Sequence, residues 1–175
     1  MVIFKGINKL LFTLIFCCIT VTSIAQNCRD VSVSKDKNKG TETKSGITNS
    51  NDFYSLLVFK ETNNEDIGSE PKYSLLLNAA SRVVLSDSIV NTKGIIELLL
   101  KDNSKVILEN AKCFNNPMPF GFCIAFSVTV TKEQLEIILK NPIVTFSAFD
   151  ILKTSFKERR QKELQRIIDC LLKDG

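Results

Sequence analysis

Phe120-Gly121-Phe122-Cys123-Ile124-Ala125-Phe126-Ser127-Val128-Thr129-Val130 alternates without a break. Phe120, Phe122, Ile124, Phe126, Val128 and Val130 fall on one side, and Gly121, Cys123, Ala125, Ser127 and Thr129 on the other. Successive side chains of a strand point to opposite faces, so this period of two predicts a long strand with one apolar face and one small or polar face. A strand so patterned needs a core on one side and tolerates water on the other. That is the habit of antiparallel sheets.

Downstream, Thr131-Lys132-Glu133-Gln134 reads as a capping box, with Thr131 capping a short helix and Gln134 reaching back. Leu135, Ile138 and Leu139 form its stripe, and Asn141-Pro142 ends it, because a residue before proline avoids the helical region. Residues 143–149 return to strand, with Val144, Phe146 and Ala148 expected on one face. Ser155-Phe156-Lys157-Glu158 reads as a second box, opening a final helix over 156–173. Leu164, Ile167, Ile168 and Leu171 are its apolar stripe, and the polar stretch 157–163 is expected to overhang the core.

Upstream, 95–100 and 105–109 flank Lys101-Asp102-Asn103-Ser104, a hairpin signature. Residues 53–59, 73–77 and 82–85 are further strand candidates, although Leu75-Leu76-Leu77-Asn78-Ala79-Ala80 also suits the start of a helix. Residues 61–71 read as a loop, and its acidic residues lack the spacing of a calcium loop. The expected fold is α+β: a mainly antiparallel sheet with one short inserted helix and a C-terminal helix packed on the sheet.

The chain has 175 residues, and its start is of a different kind. Lys5 and Lys9 precede an apolar run over 10–22, followed by Ser23-Ile24-Ala25. A basic start, a short apolar run and small residues before a cut make a secretory signal peptide over residues 1–25. The alternative is an uncleaved membrane anchor, but the run falls short of the ~20 residues a spanning helix needs. Residues 26–51 are polar and charged, and read as a flexible leader before a single domain over 52–174. The expected location is the periplasm, the cell surface or the medium.

Composition removes much chemistry. The chain contains no His and no Trp. A His general base, Ser-His-Asp or Cys-His nucleophile activation and His-ligated zinc are therefore excluded. Removing Lys5 and Lys9 with the signal lowers the formal charge from +4 to +2, which points to no nucleic-acid partner. Beyond the signal stand Cys28, Cys113, Cys123 and Cys170. An even count in an exported chain suggests disulfides, and four cysteines allow three connectivities. Cys113–Cys123, flanking one loop, and Cys28–Cys170, tying the ends, are the preferred pairs. Buried free thiols are the alternative. No C-x-x-C knuckle is present, and neither a metal site nor a cofactor is expected.

Four features invite a functional reading. Pro117, Met118, Pro119 and Phe120 form a stiff apolar tip between Cys113 and Cys123, which suits presentation to a partner if the two cysteines are bonded; the preferred reading is a plain strand connection whose Phe120 packs inward with its alternating partners. Lys157, Arg159, Arg160 and Lys162 make a basic turn that suits a lipid headgroup or an anionic glycan, but Glu158 and Glu163 lie among them and Glu158 to Lys162 is a favourable i,i+4 pair, so a solvated helix face is the preferred reading. The phenylalanines read as core filler, and the lack of Trp disfavours sugar stacking. Glu97, Asp102, Glu109 and Asp150 supply carboxylates, but nothing in the sequence pairs them as a glycosidase requires. No G-x-S-x-G, S-x-x-K, P-loop or G-x-G-x-x-G is present.

Ala25-Gln26 at the end of the signal, the turn 101–105, Thr129-Val130-Thr131-Lys132-Glu133-Gln134-Leu135, the strand 143–149 and Cys170-Leu171-Leu172 together resemble small uncharacterised secreted proteins of Bacteroidota-type bacteria. The resemblance covers about the last half of the chain. It implies no catalytic residues. The expectation is a non-enzymatic exported protein that acts on another protein. The alternatives are a small inhibitor presenting a stapled loop at 114–122, and an envelope hydrolase using carboxylates. Contact with a membrane is expected only through an uncleaved signal.

Overall fold

A computed structural model describes residues 28–51, 54–66, 68–81, 90, 92–118 and 121–173. A 3-10 turn at Cys28–Asp30 leads into β1 (Val31–Asp36), β2 (Thr41–Asn51), β3 (Tyr54–Asn63) and β4 (Lys72–Ser81). Then come β5 (Lys93–Leu100), β6 (Lys105–Met118), β7 (Gly121–Val130), α1 (Lys132–Lys140), β8 (Ile143–Ala148), β9 (Leu152–Ser155) and α2 (Glu158–Lys173). The strands make one nine-stranded sheet in the order β1-β2-β3-β4-β7-β6-β5-β8-β9. Every pairing is antiparallel. The α+β class read from the sequence is the class observed, with α1 inserted between two strands and α2 closing the chain.

The period-two signal places the core. Leu56 and Val58 of β3, Leu75 and Leu77 of β4, and Phe126, Val128 and Val130 of β7 are buried on one face. Leu135 and Ile138 of α1 and Leu164, Ile167, Ile168 and Leu171 of α2 join the same cluster. Both helices thus lie on this face, and Gln165 of α2 ties them by donating to the Leu139 carbonyl of α1 at 2.6 Å. Each fully buried Leu or Ile is worth roughly 1.5–3 kcal/mol. The α2 stripe is therefore a large part of what holds the sheet to its helices.

Residues 31–51, expected as part of a flexible leader, are a hairpin of the sheet. Despite its polar composition, this hairpin is ordered because it needs no core of its own. Its ladder to β3 supplies backbone hydrogen bonds, and α2 covers its inner side. At Gly46 any Cβ would run into the Ile167 side chain, so only glycine lets α2 lie this close. Next to it, the buried Thr48 hydroxyl donates to Glu163 at 3.0 Å, and Glu163 also receives Arg160 at 2.7 Å. The first turns of α2 consequently sit on β2 rather than overhanging. Gln161, buried as well, donates to the Phe156 carbonyl.

Two bulges correct the simple alternation. Opposite Gly94–Ile96, β6 carries an extra residue at Asn110, whose φ is 58°. The extra residue shifts the inward phase, so Val106 and Leu108 point inward before it, and Ala111 and Cys113 after it. In β8 the register slips at Val144, and Ile143 takes the inward place expected for Val144, beside Phe146 and Ala148. Leu75–Ala80 is strand, not helix: its alternate residues complete the core between β3 and β7. The strand expected at 82–85 lies outside the described residues.

The helix starts differ. Thr131 and Gln134 form the reciprocal capping box read from the sequence. Ser155 does not cap α2, because it is held in β9 opposite Thr145. Phe156 bonds back to the Val144 carbonyl, and the helix opens from Lys157, whose carbonyl accepts from Arg160 and Gln161. After β8, Phe149 takes a φ of 56°, and its ring occupies the space a Gly94 side chain would need. The same ring lies 5.5 Å from that of Phe126, tilted by 45°.

Cys28 and Cys170 are bonded, with Cα atoms 5.6 Å apart and a sequence separation of 142. The bond ties the start of the first strand to the end of α2. Replacing both (Cys28→Ser with Cys170→Ser) is expected to cost about 2–4 kcal/mol. Calorimetry should show the midpoint falling on the order of 5–15 °C. An unchanged midpoint would show that the link carries no stability.

The turn between β5 and β6 is set by Asp102, which accepts from the Ser104 backbone at 2.8 Å and its hydroxyl at 2.6 Å. These donors hold the carboxyl below its ordinary value of 3.8. A depressed folded value stabilises the turn above the ordinary Asp range, and the gain is lost as pH falls through the folded value. NMR titration should give an Asp102 midpoint under 3.8 that moves up in Ser104→Ala.

Candidate functional site

The expected stapled loop does not form. Cys113 and Cys123 are both free and buried. In the β6–β7 register Cys113 stands opposite Phe126 and Cys123 opposite Asn116. The two thiols are thus an odd number of places apart, which turns them to opposite faces. At ~3.4 Å per residue their backbones are also roughly 10 Å apart along the strands, beyond disulfide reach. Burial pushes both thiols up, so they are held protonated rather than poised as nucleophiles. Pro117 and Met118 belong to β6, paired with Phe122 and Gly121. Pro119 and Phe120 lie outside the described residues.

The carboxylates do not converge. Glu97 is ion-paired with Lys105 at 3.0 Å, and Glu109 stands exposed beside the bulge. Asp102 and Asp150 sit in turns at opposite ends of the β5–β8 pair. Among the described residues no group of three His, Cys, Asp or Glu is placed to hold a metal ion. Among them, too, no helix is long and apolar enough to cross a membrane. On the covered face, Lys60 is buried opposite Tyr73, whose hydroxyl is pushed up by burial and by the nearby Glu136 charge. Lys60 is a partnered residue of the core edge.

Two surfaces remain. The first is the sheet face opposite the helices. Ile47, Leu57 and Leu76 stand in one row across β2, β3 and β4, with Phe59 one step along β3. Ile47 is 51% exposed, and the other three are partly exposed. None of the four belongs to the core cluster. The four large apolar residues are thus grouped on a face that water reaches rather than scattered singly. Sequence reading missed it because Ile47 lies in a polar stretch, and only the register brings it beside Leu57 and Leu76. The alternation of β3 was the available signal.

The second surface is on α2. Glu158, Arg159, Lys162 and Arg166 line an open groove of about 560 Å³. The basic turn of the sequence is therefore split: Arg160 is taken by Glu163 toward β2, while Arg159 and Lys162 face the groove. No family model, curated protein or solved structure matches the chain.

The free and bonded cysteines give a direct check. In protein lacking residues 1–25, a thiol-reactive dye should find two thiols, Cys113 and Cys123, and should reach them only after denaturation. Peptide mapping should recover Cys28 linked to Cys170. A Cys113–Cys123 peptide would contradict the register.

Proposed function

We propose that the chain is an exported, non-enzymatic domain that acts by binding another protein through the open face of its sheet. The observation that carries this reading is the row Ile47–Leu57–Leu76 with Phe59, outside the core cluster and on the face away from both helices. Export is supported by the signal-like residues 1–25, and the Cys28–Cys170 bond is compatible with an oxidising compartment. The scattered carboxylates and protonated thiols favour binding over catalysis.

Crosslinking and pull-down from intact cells tests this, comparing the natural chain with Ile47→Asp. Ile47 is half-exposed, so the variant should keep its melting midpoint. The natural chain should be recovered from the envelope or the medium with a defined partner, and the variant should lose that partner by tenfold or more. Cytoplasmic recovery, or capture indifferent to Ile47→Asp, would overturn the reading.

A further inference from the structure

We propose that the groove on α2 is a binding site for a linear anionic glycan. Arg159, Lys162 and Arg166 are spaced i, i+3, i+7, which keeps them on one stripe of the helix. Their rises along the axis are about 4.5 and 6 Å, a ladder of cations suited to successive acidic groups on an extended chain. Arg159 has no ion-pair partner among the described residues. Lys162 meets Glu158 at 3.2 Å with both side chains 70% exposed, and Arg166 meets Asp30 at 3.8 Å. Such exposed pairs hold weakly and exchange readily for a stronger anion. Guanidinium groups also bind planar or tetrahedral anions through two parallel donors.

Glu158 decides the class of partner. A carboxylate in the groove repels a uniformly anionic surface such as a phospholipid bilayer or an acidic peptide. It accepts hydrogen bonds from hydroxyls, which an anionic sugar chain carries between its charges. The groove lining holds no apolar side chain to insert into a membrane and no ring for stacking, so recognition rests on charge and hydroxyls.

The test uses the folded, disulfide-bonded protein with dextran sulfate, neutral dextran, polyglutamate, and phosphatidylglycerol–phosphatidylcholine vesicles. Dextran sulfate should bind saturably and at least tenfold more tightly than the other three. Arg159→Glu with Arg166→Glu should weaken that binding tenfold or more. Lys37→Glu with Lys39→Glu, in the exposed β1–β2 turn, makes the same change in net charge and should alter it less than twofold. Arg159→Gln alone, at an unchanged melting midpoint, should weaken it about threefold and serves if the double variant is unstable. Equal loss in both double variants, tighter binding to polyglutamate or vesicles, or no binding to dextran sulfate would overturn the proposal.

Discussion

Ile167 sits where a side chain on Gly46 would be, and that close approach organises the rest. A nine-stranded antiparallel sheet has two faces, and a domain of this size has few helices with which to cover them. Helix α2 covers one face because its stripe Leu164, Ile167, Ile168 and Leu171 can reach the backbone of β2. With a Cβ at position 46 the helix would have to lift, and Thr48 would lose Glu163. The Cys28–Cys170 bond fastens the same junction from the side of the 3-10 turn. The first and last elements of the domain thus form one packed unit.

This arrangement also separates the surfaces. Since α1 and α2 share one face, the other is left to its own side chains, and in β2, β3 and β4 these set Ile47, Leu57, Leu76 and Phe59 among polar residues such as Ser45, Ser55 and Ser74. The outward side of α2 carries Arg159, Lys162 and Arg166, while its inward polar residues, Gln161 and Glu163, are spent on structure. Apolar and basic surfaces therefore lie on opposite sides of the molecule. A protein partner on one and an anionic chain on the other would not compete.

Much of the fold was legible because it is written in local periods. The strand ending at Val130, the Thr131 capping box, the turn at Asp102 and the α2 stripe are each decided by residues a few places apart, and each appears as read. The errors share a cause. The 26–51 leader, the Ser155 cap, the phase of β8 and the Cys113–Cys123 staple all turned on pairing with a distant segment. Polar composition argued against order in 31–51, but ladder bonds to β3 and the cover of α2 outweighed it. The bulges at Asn110 and Val144 changed which residues face inward without leaving a mark in composition.

The candidate surfaces were legible in proportion. The basic turn was visible as a charge run, but only the packing of Arg160 and Glu163 against β2 divided it into a structural half and an exposed half. The apolar row was invisible, because its members come from three strands. By itself the sequence determined the α+β class, the exclusion of histidine chemistry, the inward residues of β7 and the stripe of α2, since these follow from residue type and a period of two or 3.6. Tertiary structure alone decided the register, the free state of Cys113 and Cys123, and which apolar residues meet water. Those depend on which backbones come together, and a ladder specifies that through contacts far apart in the chain.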